Sequence, residues 1–396
     1  MRKPKKQKKP LNDLSRSPTP FDPNRTLIVV IDMAKENWLV AGIIPGVERQ
    51  PLKKLPADEN GLLKLLERWR AEAEIAGHKI ERTAVAFEAG RDGFWLARWL
   101  RMHDVEAYVI HPTSIAVSRE HRRAKTDRLD TELLLRALLG WLRGEKRHCS
   151  MVAIPTAEEE DAKRPNRERD SLVTEQTRIV NQIKAILIRF GIRSFRPKLR
   201  KAEQLLRDLR TAEGSPLPDN TRAEMYRHLV RLRMVREQIR AVETERLQKL
   251  KAEHGRKKGP HAMVRLIARV VGIGVETADM LVNEVFSRRF RDRRAVARYA
   301  GLTGSPDESG KRRREKGLAR AGNARVRTGM IQLAWRFLRF QEDSALAQWF
   351  QTRAADGRGS TRKTMIVALA RKLLIALWRL VTTGELSDRI VLRPES

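Results

Sequence analysis

Four carboxylates raise the first chemical question. Asp32 ends the apolar run LIVVID (residues 27–32), Glu88 ends TAVAFE (83–88), and Asp127 and Asp130 stand three apart in KTDRLD (125–130). If both runs are neighbouring buried strands, their final side chains lie within reach of each other, and two acids spaced i, i+3 share a face if a helix begins near Thr126. Carboxylates gathered in this way repel unless cations neutralise them, and hard oxygen ligands suit Mg²⁺ or Mn²⁺ bound jointly with substrate phosphates. Two such ions could clamp the attacking and the leaving oxygen of a phosphodiester. Singly, each acid has a plainer role: a strand-end Asp commonly forms a turn, and Asp127 with Arg128 would make an ordinary exposed ion pair. Together they point to metal-assisted chemistry.

Two further constellations follow. In VGIGVETA (271–278), Gly272 and Gly274 flank one residue between two apolar helical stretches. Glycines so placed let the backbone turn tightly and bare its N–H groups to a DNA phosphate at a helix start, as in a helix-hairpin-helix. A plain helix–helix turn fits the same spacing. In residues 300–327, AGLTGSPDESGKRRREKGLARAGNARVR, eight basic residues stand against one acid from Lys311 onward, a local charge of +7. Ser309 and Gly310 precede that run, after a loop holding Gly304, Pro306, Asp307 and Glu308. The residues allow either an exposed serine nucleophile beside phosphate-holding cations or an ordinary loop serine.

The elements that would position these groups can be read from periodicity. Residues 27–32 and 38–44 read as adjacent strands, a helix covers Leu62 to Trp69, residues 83–88 and 105–110 read as further strands, and a helix separates these last two over residues 94–102. Strands alternating with helices imply an α/β domain with a parallel or mixed sheet. After Pro155 the strand signal stops. A helix over residues 170–189 and a second with apolar Met225, Leu229, Leu232, Val235, Ile239 and Val242 have the three-and-four spacing of a coiled-coil seam. The turn-forming TAEGSPLPDN (211–220) between them implies a helical hairpin. The last 135 or so residues read as helical with Gly-rich breaks.

Composition supplies the partner. The 396 residues hold 82 Lys+Arg against 49 Asp+Glu, a formal charge of +33, which makes nucleic acid the default ligand. A single cysteine, Cys149, excludes a disulfide framework and thiolate zinc sites and reads as a reducing, cytoplasmic setting. No secretory signal or membrane span is expected: residues 1–20 form a basic arm without an apolar stretch, and residues 365–381 are interrupted by Arg371, Lys372 and Arg379.

Strand-end Asp32, FEAG around Glu88, KTDRLD, GIG-x-x-TA, YAGLTGSPDESG and AGNARVR occur in the order found in DEDD-type insertion-sequence transposases, and over about residues 25–385 the chain resembles the insertion sequence 110 family, described as bridge-RNA-guided serine recombinases. Val271 and Gly304 stand where that family often has proline. The resemblance implies a basic disordered arm (1–24), an α/β RuvC-like (ribonuclease-H-like) DEDD domain (25–155), a helical coiled-coil insertion (156–260) and a mostly α-helical C-terminal transposase domain (261–396). By position, Asp32, Glu88, Asp127 and Asp130 match the metal-binding catalytic acids, and Ser309 matches the serine nucleophile. Nucleic-acid contacts are expected from Gly272, Gly274, Lys311, Arg312, Arg313, Arg314, Lys316, Arg320, Asn323, Arg325 and Arg327. The implied partners are double-stranded donor and target DNA, a structured noncoding bridge RNA, and further copies of the chain in a dimer or tetramer. The rival readings are a metal-dependent Holliday-junction-type endonuclease and a non-catalytic nucleic-acid-binding protein.

Overall fold

The computed structural model describes residues 13–14, 17, 19–90, 93–115, 127–145, 148–309, 312–318, 321–386 and 389–394. Two compact units divide the chain, one comprising residues 1–157 and 288–323, the other residues 158–287 and 324–396.

The first unit is built on β1 (Asp13–Leu14), β2 (Thr26–Met33), β3 (Asn37–Ile43), β4 (Leu52–Pro56), α1 (Glu59–Ile75), β5 (Arg82–Glu88), α2 (Trp95–Met102), β6 (Glu106–Ile110), α3 (Asp127–Leu142) and β7 (Met151–Val152). These strands form one mixed sheet in the order β1-β7-β6-β5-β2-β3-β4, in which β2, β5 and β6 run parallel. The expected α/β architecture is present. Strand side chains alternate between faces, and the alternation is fully exploited. Leu27, Val29, Ile31, Val85 and Phe87 pack under α1 and α2 residues such as Trp69 and Leu100, whereas Ile28, Val30, Ala84 and Ala86 pack under Leu134, Leu138 and Trp141 of α3. Gly42 on β3 leaves room for the Trp69 indole, since a Cβ there would sit 2.7 Å from the ring. The β4 sequence LKKLP escapes a period-2 reading because it is an exposed edge strand, where lysines deter further pairing. Residues 1–12 of the expected arm lie outside the described residues. Farther along it, β1 pairs with β7, and Phe21 packs against the α3 layer.

In the second unit, α4 (Ala157–Asp161) leads to α5 (Arg164–Ile188), α6 (Ala202–Arg207) and α7 (Asp219–Ala252). Helices α5 and α7 pack along each other through Ile179, Ile183 and Leu187 against Met225, Leu229, Leu232, Val235 and Ile239. Two expectations need correction. The link between the long helices is not a bare turn, because α6 and Phe195 add Ala202 and Leu206 to the same core. Nor does the apolar row run on through Val242, which is only half-buried; the next side chain of α7 to be buried is Arg246.

Helix α8 (Pro260–Ala268), then α9 (Val275–Leu281) and a π-helical turn (Val282–Phe286), close on that arginine. Arg246 Nε lies 3.1 Å from Asp279 Oδ2, and its guanidinium also meets Glu276. Asn166 Nδ2 donates to Asp279 Oδ2 at 2.5 Å, and Arg167 pairs with the buried Glu284 at 2.9 Å. Burial pulls the Arg246 pKa down and pushes that of Asp279 up, so each ion feels the loss of water despite its partner.

The chain returns to the first unit for α10 (Arg293–Tyr299) and a hairpin of β8 (Gly304–Ser309) and β9 (Arg312–Leu318). It ends in the second unit with α11 (Ala324–Phe340), α12 (Ala345–Arg353) and α13 (Gly359–Thr383). The apolar segment at 365–381 is the buried interior of α13, and no helix among the described residues is long and apolar enough to cross a membrane.

Candidate active site

Asp32 and Glu88 are brought together by register. Strands β2 and β5 are parallel neighbours with Ile31 opposite Phe87, so Asp32 and Glu88 follow at the same level of the sheet. Parity then selects their face: on both strands the even-numbered residues before them pack under α3. Both acids line a cleft of about 310 Å³ with Met33, Phe87, Ala89, Gly90 and Gly93. Asp32 is half-buried and Glu88 is exposed.

Helix α3 points its start toward these acids. Its last turn carries Trp141, whose ring lies 4.8 Å from that of Tyr108, and the Tyr108 hydroxyl accepts from Arg82, the first residue of β5. The end of α3 therefore lies over the beginning of β5, and its N-terminus lies toward the strand ends where Asp32 and Glu88 stand. Asp127 is the first residue of that helix, and Asp130 lies on it half-buried, one turn before the sheet-packed Leu134. Arg128 pairs with Glu132 at 3.4 Å. The side chain of Asp127 lies outside the described residues, and among the described residues no three acidic, His or Cys side chains form a group that could hold an ion. Even so, two hard carboxylates on one cleft, with a third on the helix covering the same face, are donors of the kind Mg²⁺ or Mn²⁺ takes.

Ser309 is not on a loop. It ends β8, and Arg312 begins β9 directly opposite it, with residues 310–311 between them outside the described residues. The segment's Gly, Pro and acidic residues suggest a loop, yet the backbone of Asp307 and Glu308 is registered opposite that of Arg314 and Arg313. The side chains of Ser309, Arg312, Arg313, Arg314 and Lys316, and all of Lys311 and Arg320, lie outside the described residues. Farther on, Gly322 adopts φ +90° against the end of α10, where a Cβ would meet the Arg298 and Tyr299 carbonyl oxygens at 2.6 and 2.7 Å. This turn lets Asn323 N donate to Tyr299 O at 2.7 Å, and Asn323 Nδ2 donates to Tyr299 Oη at 3.4 Å. Arg325 pairs with Asp170, and Arg327 is half-buried.

The GIG segment is a tight turn as expected, with Gly272 at φ +93° and Gly274 exposed at the start of α9. Sequence reading missed Gly90 and Gly93, which let backbone line the acid cleft; the AG-x-x-G pattern after Glu88 was the available signal. It also missed Arg246, because a buried arginine in a charged helix looks like any surface one.

Comparison with known proteins agrees in extent. A sequence profile of DEDD transposases of the IS110 group matches residues 29–191, and a profile described as transposase IS116/IS110/IS902 family matches residues 264–349. A Sinorhizobium fredii protein assigned as a transposase, y4rJ, is 41% identical over 93% of this chain and 94% of its own length. A Pseudomonas aeruginosa protein assigned to the family 20 transposases is 25% identical over 79% of this chain and 88% of its own.

Proposed function

The chain belongs to the IS116/IS110/IS902 family of transposases, enzymes that cut and rejoin DNA, and from that membership we propose that it recombines donor and target duplexes through a phosphoserine intermediate at Ser309. The observation carrying this reading is the strand parity that sets Asp32 and Glu88 on one cleft beneath the helix bearing Asp127 and Asp130.

The Ser309 hydroxyl attacks the phosphorus, losing its proton as the new O–P bond forms, and a deoxyribose oxygen leaves and takes up a proton. The phosphodiester energy is kept in the serine ester, so a hydroxyl from the exchanged strand can reverse the step and reseal DNA. Asp32, Glu88, Asp127 and Asp130 would hold Mg²⁺ or Mn²⁺, which when bound supplies positive charge against the phosphate oxygens in the transition state. The cations from Lys311 to Lys316 hold the attacked phosphate beside the serine. That the serine hairpin and the acid-bearing sheet fall in one compact unit supports their acting together.

Guidance by a structured bridge RNA would leave sequence choice to base pairing and backbone recognition to the protein, a division the charge of +33 suits. The α5–α7 hairpin offers the surface on which protomers would assemble into a dimer or tetramer. The test is Ser309→Ala, which should keep DNA and RNA binding yet leave no protein–DNA adduct after denaturation. Undiminished recombination by that variant would overturn the serine step and leave a metal-dependent endonuclease.

A further inference from the structure

Helix α11 contains Arg325, Arg327, Arg336 and Arg339 and no acidic residue. Its inner face is ordinary, with Val326, Met330, Leu333, Ala334 and Phe337 buried. The outer face is not the polar stripe a surface helix normally shows. Trp335 and Phe340 are 39% and 51% exposed there, interleaved with exposed Arg336 and Arg339. A guanidinium lies over each ring, Arg362 of α13 at 5.2 Å from the Trp335 centroid and Arg339 at 5.9 Å from that of Phe340, and Phe350 meets Trp335 edge-on at 6.3 Å. Arg336, Arg339 and Arg362 have no ion pair among the described residues. The next acids along the chain, Glu342 and Asp343, come after the helix ends, and Asp356, before α13, accepts from Arg358 N and Thr361 Oγ1. Phe340 also abuts the GIG turn, where a Cβ on Gly272 would lie 3.2 Å from its own Cβ, so this face continues into the segment whose Gly274 is exposed.

Partly exposed aromatic rings accompanied by cations that no ion pair among the described residues neutralises match a ligand that brings both flat rings and negative charge. A nucleic-acid strand does so. A duplex offers only the charge along its length, because its base faces are stacked on each other. We propose that α11, with Arg362, is a binding face for single-stranded DNA, with bases stacking on Trp335 and Phe340 and phosphates meeting Arg336, Arg339 and Arg362. The strand would be one left unpaired when a duplex opens for exchange, so the inference rests on the recombinase reading while concerning residues other than the reacting groups.

The test is fluorescence anisotropy with the full chain carrying Asp32→Asn to prevent cutting, comparing oligo-dT, a duplex and oligo-U of equal length. Trp335→Ala and Phe340→Ala should each weaken oligo-dT binding by roughly fivefold or more without altering the slope of log affinity against log salt. Arg336→Gln and Arg339→Gln should each lower that slope by about 0.7. Trp335→Phe, which keeps a ring, should retain most of the affinity, and thermal melting checks that Trp335→Ala remains folded. Unchanged oligo-dT affinity in both aromatic variants, an equal loss for duplex, tighter binding of oligo-U than oligo-dT, or a change in self-association with Trp335→Ala would each overturn the proposal. Cutting by the Asp32→Asn chain would instead sink the acid-site reading and leave the anisotropy result standing.

Discussion

The sheet of the first unit and the joint of the long helices in the second both lock elements together, but with opposite chemistry. Around β2 and β5 both layers are hydrocarbon, from Leu27 and Phe87 on one face to Val30 and Ala86 on the other. At the joint, Asn166, Arg246, Asp279 and Glu284 are 4%, 6%, 6% and 1% exposed. Apolar contact has no direction, so the sheet depends on strand register to aim Asp32 and Glu88, and small losses of packing weaken it by degrees. An ion buried with its partner behaves differently, because removing one leaves the other uncompensated. Graded tolerance therefore lies beneath the acids, and an all-or-none contact lies where α7 meets α9.

The largest expected effect tests whether the sheet merely carries the acids. Asp32→Asn should slow strand cutting by at least roughly 10²–10³-fold, the scale seen when transition-state charge loses its support, while thermal melting stays unchanged because the side chain is half-buried at a strand end. A melting point that drops with activity would make Asp32 a structural residue. At the joint, Arg246→Ala should cost about 3–5 kcal/mol in denaturant unfolding. Arg246→Met combined with Asp279→Leu should recover most of that loss, and failure to recover it would mean that the joint relies on more than charge pairing. Gly42→Ala should cost about 1–3 kcal/mol by pressing on Trp69, and a silent substitution would show the sheet face to be looser than its packing implies. The smallest effect is chemical: Cys149 is 4% exposed, burial pushes its thiol pKa up to about 12, and it donates to Ala137 O at 3.3 Å. A thiol reagent at pH 8 should label only the unfolded chain, and rapid labelling of the native protein would show the α3 layer opening.

What was legible followed burial on two faces. LIVVID and TAVAFE are continuous apolar runs because β2 and β5 are covered by helices on both sides, and the carboxylates that end them line one cleft. The start of α3 at Asp127 was readable for a similar reason, since acids precede an apolar helix. Strands β1 and β7, two residues each, carry no periodicity, and β8–β9 is written in Gly, Pro and charged residues that show no apolar alternation. The joint at Arg246 was invisible because helical spacing locates apolar seams, and a seam that turns ionic drops out of the pattern.

The discontinuous make-up of the first unit also sets an order of manufacture. Asp130 precedes Ser309 by 179 positions, and residues 158–287 of that interval form the second unit's first segment. At a translation rate of roughly 5–20 residues per second, a ribosome delivers the acid-bearing sheet roughly 10–35 s before the serine. On the proposed serine mechanism, a nascent chain would hold its carboxylates throughout that interval without its nucleophile, so joining of strands through Ser309 would wait for the finished hairpin.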